Sequence, residues 1–474
     1  MPSISRYLLI LLMILPSVNL IIIGLASNFV QSNAENPFNF PENLLLSTDD
    51  LWEHHVEPTM ALGDDDRIYV GWKNAVEHDG GGKSVAYTYS IDGETWQEPV
   101  DMNPFWSTGS IQSDPWMVFF NHTLYYSYLE ADGAQGQITF TFTSDHGSTW
   151  TKIKGTYGGG TYADKETFTI SEEGTIYLVY SDSYMDGDSY TWIKLSRSYD
   201  GGYSFIENVT ISDQKGIDVG AYILPSISGD LHVLWTHYLW GDTPAPDPDG
   251  SSIIYDKSTD DGNTFTVDTD FIPEYNATWS ERNPENGRSA KHTLAVMEQD
   301  RSTGRIYATW ADISANTTNP NYGWDVYFRF SNDDGLTWSS IQRVNKEVTG
   351  DQWNPDLELD SHGNLHFIYY DEVEQRHLKH RIYYPENKTF SSESQVSNKP
   401  SSPEFTRPGE YNSIRIDSND TPHIVWTDTR NGALDIYYSK GTTDPIVAAT
   451  TNNSFEFLIV ILGLLAFLLI RIRK

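Results

Sequence analysis

SNDDGLTW, residues 331–338, is a stretch the chain writes more than once. TSDHGSTW at 143–150, SYDGGYSF at 198–205 and STDDGNTF at 258–265 share its pattern of Ser/Thr, any residue, Asp, any residue, Gly, any residue, Thr/Ser, aromatic. YSIDGETW at 89–96 is a degenerate copy that, aligned on its Gly, places Ile91 where the Asp belongs. Each position has a local job. The carboxylates of Asp145, Asp200, Asp260 and Asp333 accept turn N–H groups, Gly takes the corner at positive φ, and the aromatic ring is buried between strands. The octet therefore reads as a pinned hairpin turn.

Working outward, seven short aromatic-rich segments each follow a turn and close on aromatic-x-polar: DRIYVGWKN, HTLYYSYLE, GTIYLVYSD, GDLHVLWTH, GRIYATWAD, GNLHFIYYD and TPHIVWTD. Their anchoring aromatics, Trp72, Tyr128, Tyr180, Trp235, Trp310, Tyr369 and Trp426, lie 52 to 59 residues apart except for one step of 75. β-Branched and aromatic residues bounded by Gly or Asp make strands, and a repeat near this length makes propeller blades of four strands each. The expected fold is all-β: a seven-bladed β-propeller with Asp-box turns over 36–442, with six blades as the alternative. ENLLLST at 42–48 resembles the outer-strand stretches of later repeats and is expected to complete the last blade from the other terminus.

The octet resembles the Asp-box of the sialidase (neuraminidase) and BNR-repeat proteins, and the resemblance covers nearly all of 52–440. It implies a propeller whose boxes lie in the turn between the third and fourth strands of a blade, on the face opposite the active site. It does not by itself imply the activity.

The ends bear on location. Residues 1–34 carry Arg6 and an apolar run from Tyr7 to Leu25, with Ser32-Asn33-Ala34 as a cleavage candidate, and read as a signal peptide or N-terminal anchor. A polar stalk at 443–454 precedes the tail at 455–474, where an apolar run from Phe457 to Ile470 ends in Arg471-Ile472-Arg473-Lys474. This reads as a transmembrane or sorting tail whose basic end stays cytoplasmic, leaving the chain displayed outside the cell. A cysteine-free chain of formal charge -35 fits that setting and argues against nucleic acid as a partner. Sequons such as Asn121 and Asn387 are compatible with a glycoprotein.

Strand alternation puts the entry of each first strand on the face opposite the boxes. Asp114, Asp164, Glu166, Asp218, Asp356 and Glu410 are thereby catalytic candidates, with Glu57, Lys165 and His292 on the same rim. Arg288, Arg407 and Arg430 are candidate substrate ligands, and Trp279, Tyr322 and Trp324 candidate stacking platforms for sugar rings. The series Asn74, Glu130, Asp182, His237, Asp312, Asp371 and Asp428 recurs in every repeat and is expected to be scaffold.

The insertion WGDTPAPDPDG at 240–250 is oxygen-rich, so Ca²⁺ is a candidate there, although the segment matches no EF-hand loop. No other metal site is read. A sialidase needs three arginines, a Tyr–Glu pair and an Asp. The opening strand VEPTMAL has no arginine, Arg67 falls in the wrong turn, and Glu410 and Tyr411 should diverge as strand neighbours. The leading expectation is a surface propeller binding glycans or extracellular protein partners. A glycoside hydrolase, exo-sialidase-like or acting on neutral glycans, is the alternative, and a structural envelope protein is the third reading.

Overall fold

The computed structural model describes residues 34–48, 52–77, 82–102, 110–132, 135–157, 162–186, 188–214, 216–238, 251–272, 294–313, 323–402 and 409–443. The leader, most of the stalk, the C-terminal tail and the 240–250 insertion lie outside them. Among the described residues there is no helix, and so none long and apolar enough to cross a membrane.

The strands form a β-propeller. Five separate sheets of four or five strands stand beside one eight-stranded sheet. In the latter, antiparallel units at 111–157 and 162–210 are joined by the single parallel pair Tyr162↔Gly136. Each innermost strand packs against the innermost strand of the next unit, and the last sheet packs against the first. His55 N–H donates to Leu434 O at 2.7 Å across that final junction.

The second strands explain the stacking. Ile68–Ala75 is buried along its whole length, because sheets lie against both of its faces, so polar residues such as Asn74 are buried as well. The N-terminal segment closes the ring as expected. Leu44–Leu45 pairs with Asp435–Lys440 in the register Leu44↔Tyr438, and Phe38–Asn39 pairs with Thr442–Thr443.

The box turns are pinned as their sequence implies. In the copy at 331–338, Thr337 donates to Asp333 through its N–H (2.8 Å) and its hydroxyl (2.6 Å), and Ser331 Oγ donates to Asp333 at 2.8 Å. Asp145, Asp200 and Asp260 repeat the arrangement with Thr149, Ser204 and Thr264. The degenerate copy corrects the reading at Ile91. Aligned on Ser90 instead of the Gly, the turn is one residue shorter, and Asp92 accepts from Glu94 N (2.8 Å) and Thr95 N (2.7 Å).

The boxes also join neighbouring units. The glycine of each box lies directly on a strand-three side chain of the preceding unit: Gly93 on Tyr438, Gly147 on Tyr87, Gly202 on Phe140, Gly262 on Leu195 and Gly335 on Tyr255. Gly335 therefore has two constraints, a φ of +78° and a tyrosine where a Cβ would go. Gly432 has a similar φ of +85° with nothing near it. Gly335→Ala should cost about 2–4 kcal/mol in urea denaturation and Gly432→Ala only about 1–2 kcal/mol, the difference being the junction contact. Equal losses would show that the glycine serves its own turn alone.

Candidate functional site

Innermost strands run from the face opposite the boxes toward the box face, and most interrupt their ladder near the start. Register slips fall between Val56 and Thr59, Ser113 and Trp116, Asp164 and Thr167, Val219 and Tyr222, and Trp353 and Asp356. At each slip one residue takes a left-handed backbone: Glu57 (φ 59°), Asp114 (51°), Lys165 (49°), Gly220 (63°) and Asn354 (56°). These are β-bulges, which re-aim a side chain at some cost in strain. Pro58, Pro115 and Pro355 follow three of them, since a bulge is where a strand tolerates a missing N–H. An Asp, Glu or Asn followed by Pro inside strand-like sequence is the signal that marks these bulges.

The bulges gather charged groups around the propeller axis. Glu57, Asp114 and Glu410 are all buried, and one carboxylate oxygen from each lies within 4.8 Å of the other two. Lys73 Nζ meets Glu57 Oε1 at 3.0 Å, and Asp114 N–H and Ser113 Oγ donate to Glu57 Oε2 at 3.0 and 3.3 Å. The Lys165 ammonium contacts Glu410 Oε2 and lies 3.5 Å from Asp114 Oδ1. Tyr411 OH donates to Asp114 Oδ1 at 3.3 Å. Glu410 and Tyr411 thus reach the same place instead of diverging, because 409–412 is irregular backbone and not strand.

Acids outnumber cations here, and protonation responds. Burial and then Asp114 raise the Asp164 carboxyl to about 6, against the pull of Lys165. Glu166 is only 2 % exposed, neither of its oxygens has a hydrogen bond of good geometry, and burial followed by Asp114 holds it well above the usual glutamate range. Burial also drives the Tyr411 phenol far up.

A narrow cleft, half open to solvent, adjoins this cluster. Lys165, Glu410, Tyr411, Trp116, Tyr222 and Asp356 are on its wall. Trp116 stands edge-on to Tyr222 (centroids 6.0 Å apart) and to Tyr411 (6.4 Å). Nearby, Arg415 Nη1 lies 3.5 Å from both Asp356 and Glu358, and Asp356 accepts Ile414 N–H at 3.0 Å. Burial, then Glu298, pushes Glu358 up to about 8. Asp356 is raised by burial and opposed by Arg415. The reading missed Lys73, Glu298, Glu358 and Arg415, whose sequence context marks only a strand.

Of the six catalytic candidates, Asp114, Asp164, Glu166 and Glu410 converge and Asp356 sits on the same cleft. Asp218 does not join them; it pairs with His237 Nδ1 at 2.6 Å. Trp324 is a core residue, 1 % exposed, and not a stacking platform, because its strand is covered by the following sheet. Arg430 is held by Asp428 (2.6 Å), Asn398 (2.7 Å) and Asn43 (3.1 Å), which makes it a staple for the N-terminal strap and not a substrate ligand. Arg288, Arg407, Trp279, Tyr322 and His292 lie outside the described residues.

The recurring series is engaged in the fold, though mostly by side-chain donors where loop N–H groups were expected. Trp72 and Trp426 indoles donate to Asn74 and Asp428 at 2.8 Å, Thr139 to Glu130 at 3.0 Å and Gln352 to Asp371 at 2.9 Å.

No protein-family model matches the chain, and no curated protein is significantly similar to it. Solved structures do resemble it. A polysaccharide lyase of family PL25, an ulvan lyase bound to -[GlcA(1-4)Rha3S]-, superposes with a TM-score of 0.53 at 11% identity over 83% of this chain and 95% of that one. At that identity the likeness shows the fold, a β-propeller. The propeller is also similar to the GH93 α-L-arabinofuranosidase of Fusarium graminearum (TM-score 0.47, 12% identity, 85% and 97% covered). For the K499G mutant of NanB sialidase from Streptococcus pneumoniae the values are 0.42, 14%, 85% and 70%.

Glu166 sets a pH dependence for this propeller. Its folded-state pKa lies above the unfolded value, so the folded chain holds the extra proton and stability is lost as pH rises past the ordinary glutamate range. Glu166→Gln should therefore stabilise the protein by about 1–3 kcal/mol at pH near 8 and change little near pH 4, read from thermal midpoints. A shift of equal size at both pH values would refute an uncompensated Glu166.

Proposed function

We propose that the propeller binds a glycan in the axial cleft opposite the Asp-boxes. The observation that carries this reading is the wall itself: Trp116, Tyr222 and Tyr411 supply rings, while Lys165, Asp356 and Glu410 supply directional polar groups. Sugar rings ask for that combination, apolar C–H faces for the aromatics and hydroxyls for the charged acceptors. The acid-rich wall opposes a carboxylated sugar, which favours a neutral glycan. We also read the eight-stranded sheet as two blades, making seven with the five separate sheets, and place the chain outside the cell on its C-terminal segment.

Hydrolysis is a second reading, favoured by Asp164. A carboxyl held near 6 keeps its proton into the mildly acidic range and can act as a general acid, with Asp114 or Glu410 as the second carboxyl group. The arginine triad of a sialidase has no counterpart among the described residues lining this cleft.

A glycan array and a panel of chromogenic glycosides test both readings. Retention of a neutral glycan, weakened at least about tenfold by Trp116→Ala, supports binding. Turnover that falls at least about a hundredfold in Asp164→Asn supports hydrolysis. Neither retention nor turnover across the panel would leave the structural envelope reading standing.

A further inference from the structure

We propose that Glu57, Asp114 and Glu410 form a seat for a hard divalent cation of the Ca²⁺ class, and that Lys165 competes with the cation for it. Oxygens bound to Ca²⁺ at about 2.3–2.6 Å lie at most about 5 Å apart, and the three oxygens here already lie within 4.8 Å of one another. They come from different units of the ring and are fixed before any ligand arrives. Glu57 is held by Lys73 and the Asp114 N–H, and Asp114 by Ser113 Oγ at 2.7 Å and by Tyr411. Such supporting groups orient ligands in metal sites.

An acidic cluster alone would not carry this inference, and Glu166 is the independent observation. Its carboxyl is 2 % exposed, neither oxygen has a hydrogen bond of good geometry, and Asp114 is the charge that most affects it. Three carboxylates against Lys73 and Lys165 leave a surplus of negative charge, and a doubly charged ion in place of Lys165 would neutralise it. The two lysines are not equivalent. Lys73 has a side chain 6 % exposed and is paired with Glu57, whereas Lys165 is 17 % exposed, borders the open cleft and bridges Glu410 and Asp114. Lys165 can swing into the cleft and surrender both carboxylates, so cation binding and lysine withdrawal become one exchange. The site differs from the 240–250 insertion and stands whether or not the cleft takes a glycan.

The test is a Tb³⁺ titration of the full chain in detergent micelles, with Ca²⁺ as competitor. Emission is read through energy transfer from the rings nearest the seat, Trp116 and Tyr411. Lys165→Met should tighten binding by about tenfold, and Glu410→Gln or Asp114→Asn weaken it by about tenfold or more. Glu94→Gln, an exposed acid on the box face, should titrate like the parent chain. Should Lys165→Met fail to fold by circular dichroism, Lys165→Gln replaces it, with the same expected direction. Titrations that do not distinguish the Lys165 and Glu410 variants from Glu94→Gln would overturn the proposal, since the binding would then belong to the acidic surface in general.

Discussion

The contact on which this molecule depends is a glycine of one unit lying on an aromatic or leucine side chain of the unit before it. A hairpin turn pinned by aspartate stabilises its own blade and nothing more. Once the glycine at its corner is also the surface on which Tyr438, Tyr87, Phe140, Leu195 or Tyr255 rests, the turn sets the spacing between blades. Tyr255 shows how far this goes: its hydroxyl meets His232 at 2.7 Å, and His232 meets Asp334 of the next box at 3.1 Å. Sheets that cannot hydrogen-bond to one another face to face are thus tied by side chains at the rim. The junction between Tyr438 and Gly93, with the N-terminal strap pairing on Asp435–Lys440, ties the last unit to the first and leaves no loose end in the ring.

Near the axis the same problem has a different solution. Innermost strands of neighbouring units do not pair, so polar links replace the ladder: Met117 N–H to Thr59 Oγ1 at 3.0 Å, Thr167 Oγ1 to Ala221 O at 2.8 Å, and Asn412 to Asn354 O at 3.0 Å. The Glu57 carboxylate receiving the Asp114 N–H belongs to this set. Charged residues at the bulges are therefore connectors of the ring as well as the wall of a cleft. A substitution there changes both, which is why a conservative amide is more informative than alanine at these positions.

Much of this was legible before any coordinates. The boxes and the aromatic-x-polar repeat gave the strands and the propeller, and ENLLLST was placed correctly as an outer strand because its composition matched the others. Topology alone put Asp114, Asp164, Glu166 and Glu410 on one face. What sequence could not supply was the bulge, because alternation is a rule for regular strand and fails where one extra residue is inserted. It fails again in the irregular backbone of 409–412, where Glu410 and Tyr411 meet, and it gave no reason to bring Lys73 to Glu57. Trp324 failed for another reason: a loop-like neighbourhood rich in Asn and Pro hid a strand covered on both faces. The shift at Ile91 came from aligning a shortened turn on its glycine, when the side chain that captures the turn is counted from the serine.

The placement of the surplus charge follows from these two sets of ties. A group of carboxyls as close as Glu57, Asp114 and Glu410 would fly apart on a flexible loop, or would pull the surrounding backbone toward water. Here Glu57 and Asp114 sit on two different rigid strands and Glu410 just before a third, all fixed at the rim by the glycine contacts and at the axis by the polar links. The group cannot relax by movement, so burial first and the charge of Asp114 second raise the Asp164 and Glu166 carboxyls, and Lys165 is captured. Closure of the ring is what permits a site whose parts repel one another.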